Sequence, residues 1–236
     1  IWTSFPLLSI NFQQLEILDP VSKERPLMDV EQFSLAFNWL DAWQGNYHVH
    51  QLKLKEGQIN MRLDKKGGAN WEIFKRDSTS KGDVSMRLEK VILKDVLWSY
   101  VDKSNDYNQV VFWSNLQLKG DFSSVESKLS LNASGVCENV TTGNREIIQN
   151  LSFDCSGDLL YQRNSEVLTI DEIEWVALDA PMKGKGWIDF KKERCEIEVK
   201  AENVEVQQWV KNMPGWLSDA LHSYEPEGNF QIQGMI

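Results

Sequence analysis

The stretch "GQINMRLDKKGGANWEIFK", Gly57 to Lys75, decides how the chain is read. Ile59, Met61 and Leu63 recur at every second position, the period that places strand side chains on one face. Asp64-Lys65-Lys66-Gly67-Gly68 then supplies turn residues, with glycines able to take positive φ. Trp71 and Ile73 resume the alternation, so the segment predicts a β-hairpin.

The same period extends in both directions. Leu8, Ile10 and Phe12 alternate, and Leu15 and Ile17 continue after a one-residue slip that predicts a bulge. Phe33, Leu35, Phe37 and Trp39 form the cleanest run. Tyr47 and Val49 lead, after another slip, to Leu52 and Leu54. Comparable pairs recur through Val91/Leu93, Trp98/Tyr100, Leu116/Leu118, Leu129/Leu131, Phe153/Cys155, Ile173/Trp175 and Ile197/Val199 to Phe230/Ile232. Their neighbours are mostly Ser, Asn, Gln, Lys and Glu, so one face of each strand is wet. Helical spacing occurs chiefly at Val206, Trp209 and Val210 before Pro214, and at Trp216, Leu217, Ala220 and Leu221 before Pro226. A further helical turn is expected near Leu40 to Trp43.

Glycine sits among alternating apolar residues in "LQLKGDF", "FDCSGDLLY", "MKGKGWIDF" and "EGNFQIQG". Glycine inside strands marks bends or close approach of another backbone. The expected fold class is mainly β: a long, curled, largely antiparallel, groove-like sheet with one or two short helices near the C-terminus. Residues 1–236 read as one elongated domain. The chain opens at Ile1 and closes with strand character, and so reads as a fragment of a longer protein.

Composition narrows the function classes. The 236 residues are 42% hydrophobic and 25% charged, as in a folded soluble domain, with a net charge of −10. No lysine- or arginine-rich cluster exists for nucleic acid or for an anionic bilayer, so any lipid contact must be apolar. No run of about 18 apolar residues offers a membrane span. Cys137, Cys155 and Cys195 lack metal-type spacing; Cys137 and Cys155 bridged across a sheet, or three free thiols, both fit the sequence.

Catalytic chemistry finds little support. His48 and His50 share a strand face without a completing acid or cysteine pattern, which favours a solvated face over a metal site. His222 has no evident partner. Asp171, Glu172, Glu174, Glu196 and Glu198 suit a charged strand surface better than a converging carboxylate pair. The Asn-x-Ser/Thr triplets at Asn132, Asn139 and Asn150 are no more than such a composition produces by chance. No nucleophile elbow, phosphate loop or dinucleotide fingerprint occurs, so no enzyme activity, metal or cofactor is expected.

From Pro6 to Trp71 the order of features resembles the N-terminal region of the AsmA family. "LEILDP" and "PLMDVEQFSLAFNWL" are followed by "QGNYHVHQLKL", then by Gly57, Ile59, Met61, Asp64, Gly67, Asn70 and Trp71 in the family's closing pattern. Residues 1–75 carry that likeness. Residues 76–236 continue the β repeats, with a helical insertion at about 205–223 that is similar to the family's own. The resemblance implies a periplasmic protein whose parent is anchored in the inner membrane by a segment absent from this chain. It also implies a part in outer-membrane assembly, and a likeness to bridge-like lipid-transfer proteins whose curled sheet holds acyl chains. On that view Phe33, Leu35, Phe37, Leu52, Leu54, Ile59 and Met61 line a groove for phospholipid, while Gly57, Asp64, Gly67, Asn70 and Trp71 are structural. The alternative is a β-sandwich module that binds carbohydrate or protein through exposed tryptophans, with two packed sheets around a closed core.

Overall fold

A computed structural model describes residues 7–21, 25–38, 49–72, 88–122, 125–177, 180–192, 194–205, 207, 210 and 228–235. They form one sheet of eleven strands in strict sequence order. The strands are β1 (Leu7–Leu18), β2 (Pro26–Asn38), β3 (Val49–Leu63), β4 (Lys90–Asp102), β5 (Tyr107–Gly120) and β6 (Glu126–Thr142), followed by β7 (Arg145–Gln162), β8 (Val167–Ala177), β9 (Ala180–Asp189), β10 (Arg194–Glu205) and β11 (Asn229–Met235). All neighbours are antiparallel except β3 and β4, which run parallel. The order ends at β1 and β11, so the sheet is open rather than closed into a barrel.

Extensive contacts join only strands adjacent in that order. The two packed sheets of a sandwich are therefore not found among the described residues. The chain exposes 16161 Å², against about 10,900 Å² expected for a compact monomer of its mass. A sheet one layer thick contributes to the excess.

The parallel pair corrects the expected hairpin. β3 does turn at residues 64–68, but among the described residues the return is a single bridge between Leu63 and Ala69, and Trp71 lies in a turn. The next full neighbour is β4, reached through residues 64–89, long enough for the crossover that parallel strands require. Ile73, Trp39, His48 and the turn at Leu40–Trp43 lie outside the described residues, as does most of the insertion at 205–223, of which Gln207 and Val210 are helical.

Register shows how one face stays apolar. Leu8, Ile10 and Phe12 stand opposite Phe37, Leu35 and Phe33, and past Gln14 the set continues with Leu15 and Ile17 opposite Val30 and Met28. Each strand thus reverses its alternation once, as the slip between Phe12 and Leu15 predicts. Gln14, Glu56 and Asp95 make the reversal with φ of 55°, 53° and 55°. Pairings on either side put Gln14, Glu31, Glu56, Asp95 and Ser114 at one level, a seam across β1 to β5. A left-handed non-glycine residue costs roughly 1–2 kcal/mol. Without the reversal, every apolar side chain beyond it would turn to the wet face, forfeiting about 1.5–3 kcal/mol for each one that is well buried. The kink is the smaller cost.

Burial is deepest beside the seam, where Val30, Leu54, Leu93 and Val96 form a cluster flanked by Leu15, Met28, Phe33 and Trp113. Trp113 also joins the second cluster, built on Val111, Cys137 and Val140. A smaller group, Ala180, Ala201 and Val204 with Met182, continues across β9 and β10.

Gly57 and Gly135 lie on this face, opposite Val30 and Trp113. A Cβ at Gly57 would sit 2.2 Å from the Asp29 carbonyl oxygen, and one at Gly135 2.1 Å from that of Phe112. Neighbouring backbone crosses where a side chain would start, as expected where a sheet bends sharply. Gly57→Ala must push β2 away from β3. Chemical denaturation of the variant is expected to show a loss of about 1–3 kcal/mol, the cost of overpacking, whereas Gly67→Ala, open on all sides, acts only through its φ of 81°.

Candidate functional site

All seven groove candidates fall on the apolar face. Phe33 pairs with Leu54, Leu35 with Leu52, Phe37 with Val49 and Ile59 with Met28, while Met61 lies beside Tyr100. Leu54 is 2% exposed and belongs to the packed core; the other six are half-buried. The face is wider than the candidates suggest. Val91, Leu93, Val96, Trp98, Leu116 and Leu118 continue it across β4 and β5. Their signal was the same alternation, interrupted at Asp95 by a reversal that sequence alone did not align with Gln14 and Glu56.

One border of this face is aromatic. Tyr100 lies 6.1 Å from Trp71, 6.2 Å from Trp98 in a stacked arrangement and 6.1 Å from Tyr107. The Trp98 Nε1–H donates to Met61 Sδ at 3.1 Å, and the Tyr107 hydroxyl donates to Gln109 Oε1 at 3.0 Å. Burial raises the pKa of both tyrosines, so they stay neutral donors. Rings with an apolar body and a polar rim suit the boundary between a dry surface and water.

Asp64, Gly67 and Asn70 build the turn and its anchor. Asp64 Oδ1 accepts the backbone N–H groups of Lys66 at 2.8 Å and Gly68 at 2.9 Å, and Gly67 takes the left-handed conformation between them. Asn70 is 2% exposed and fully engaged. Its Nδ2 donates to Asp19 Oδ2 at 3.0 Å and to the Asn60 carbonyl at 2.8 Å, and its Oδ1 accepts the Arg62 backbone N–H at 2.8 Å. The Arg62 guanidinium reaches Asp19 Oδ2 at 3.1 Å. Asn60 extends the network, donating to the Pro26 carbonyl and accepting the Ser99 hydroxyl, both at 2.8 Å. This node ties the end of β1 to β2, β3 and β4. The Asn-Trp dipeptide thus sends its amide into the polar node and its indole to Tyr100.

The opposite, polar face carries the acids. Glu172 and Glu174 both pair with Lys183, and Glu198 pairs with Lys185 and Lys200. These exposed ion pairs explain the alternating charges as strand-surface ladders. A shallow cavity of about 540 Å³ lies there among Asp154, Ser156, Glu174, Pro181, Lys183 and Lys200. His50 pairs with Glu89 at 2.9 Å. No group of three metal-ligating side chains occurs among the described residues. The three cysteines are free. Cys137 stands opposite Leu151 and Cys155 opposite Ala133, so the two are not cross-strand partners. Burial raises both thiols above their ordinary pKa, which leaves them protonated and unreactive.

Comparison with protein-family models, with curated proteins and with solved structures finds no match for this chain.

Two measurements check this assignment of roles. Asn70→Ala leaves the Arg62 backbone N–H without its Asn70 acceptor and takes one of several partners from the Asp19 carboxylate, at about 1–3 kcal/mol for the unsatisfied group; urea denaturation is expected to show that loss with the strand content of the folded state unchanged. Asp102, at the β4–β5 turn, is held below the usual carboxylate range by the Ser104 hydroxyl, by the Asn105 amide and by both residues' backbone N–H groups. Because its folded pKa lies below the unfolded one, its contribution is complete above about pH 4 and is lost as pH falls through the folded value. Melting curves from pH 6 down to strong acid are expected to fall more steeply for the native chain than for Asp102→Asn.

Proposed function

We propose that the chain is a non-enzymatic cell-envelope protein that binds phospholipid along the apolar face of its sheet. The observation that carries this reading is one dry face, held in phase by the seam through β1 to β5 and continued by the second cluster, on a sheet that is one layer thick among the described residues. Such a face in isolation costs free energy in water, and acyl chains offset that cost by about 0.8 kcal/mol per buried CH₂. The headgroup stays at the aromatic border and needs no basic residue, in keeping with a net charge of −10. The likeness of residues 1–75 to AsmA proteins supports a periplasmic location, an inner-membrane anchor on the parent protein and a role in outer-membrane assembly.

The test is native mass spectrometry of the purified chain, with organic extraction and identification of bound lipid. Phospholipid is expected to co-purify and to be lost, with β content intact, in Leu35→Asp and Met61→Asp. These half-buried positions are better probes than Leu54, whose replacement by a charge would unfold the core. A lipid-free chain that also fails to take up phosphatidylethanolamine from vesicles overturns lipid binding.

A further inference from the structure

Among the described residues β1 is an outer strand, paired along one side only, with β2. Outer strands are ordinarily protected from pairing by lysine, proline or inward-pointing charge. The twelve residues of β1 contain no lysine, arginine or proline, and a single acid, Glu16. On the apolar side they leave Leu8 56%, Ile10 44% and Phe12 46% exposed.

The segment has a further property, which its kink creates. Read outward from the Gln13–Gln14 bond, it is a chemical palindrome: Gln13, Phe12, Asn11, Ile10 in one direction and Gln14, Leu15, Glu16, Ile17 in the other. The reversal at Gln14 turns Ile10, Phe12, Leu15 and Ile17 to one face. A second copy of the strand, laid antiparallel, therefore matches it face for face on both sides of the kink.

We propose that β1 pairs with β1 of a second copy of this chain about a two-fold axis between Gln13 and Gln14. Phe12 then stands opposite Leu15 of the second copy, Ile10 opposite Ile17 and Glu16 opposite Asn11. A shift of one or two residues either way sets Phe12 or Leu15 against a polar side chain. The contact places no two like charges opposite each other, which matters for a chain of net charge −10. It joins two sheets into one, their apolar faces continuous and on the same side. The pairing is isologous and closes at two copies.

Analytical ultracentrifugation of the native chain and two variants at Asn11 tests it. Asn11 is exposed on the polar side of β1, so a single subunit keeps its fold when it is changed. By symmetry any charge placed there meets Glu16 twice. The native chain is expected to form a dimer, Asn11→Lys to tighten it, and Asn11→Glu to weaken it at least about tenfold, or ~1.4 kcal/mol. A native chain that stays monomeric overturns the proposal. So does a dimer indifferent to both changes, or moved the same way by both, and so does growth beyond two copies.

Discussion

A sheet one layer thick must keep its dry side chains on one side over its whole length, and everything else in this molecule follows from that constraint. Strands of 12 to 15 residues, about 40–50 Å long at 3.3 Å per residue, cannot do so if alternation and bending fall out of step. The solution is a reversal of phase at one level in five successive strands. Gln14, Glu56 and Asp95 accept an unfavourable backbone conformation. Leu54, Val30 and Val96, the largest fully buried apolar side chains, pack beside them together with Leu93. Strain and core thus occupy the same line, because the core exists only if the strain is accepted.

The glycines and the polar node serve the same constraint at other places. Gly57 and Gly135 let neighbouring backbones approach on the apolar side, where any Cβ would intrude. Asn70, Asp19, Arg62 and Asn60 fix one border of β1 to β4 by hydrogen bonds that are buried between Asn70 and Asp19 and part-buried elsewhere. Such a network is directional in a way that aliphatic packing is not. It sets where strand ends meet, and leaves the aliphatic contacts to bury the apolar side chains beside one another.

The strand content and the sidedness of Phe33, Leu35, Phe37, Leu52, Leu54, Ile59 and Met61 were legible in the sequence because period-2 alternation is local. The slip between Phe12 and Leu15 was legible for the same reason. The seam was not: that Gln14, Glu56 and Asp95 share a level depends on register, which no single strand encodes. The parallel pairing of β3 and β4 was hidden behind the turn at Asp64 to Gly68, whose residues specify a reversal that, among the described residues, continues for one bridge. The depth of Leu54 relative to Leu52 was likewise invisible, since both read as alternating leucines and only neighbours on β2 and β4 separate them. The role of Asn70 was legible as a motif but not as chemistry, because its partner Asp19 lies 51 residues away.

Strict sequence order has a consequence for how such a molecule can change. Each strand leans on the one before and the one after, so cohesive energy is a sum of local couplings, as in repeat proteins. A pair of strands added or removed far from the seam, between β7 and β10 for example, alters the tally of couplings without asking any distant residue to repack. Length is therefore an adjustable quantity for this architecture, in a way it never is for a closed globule with a single shared interior.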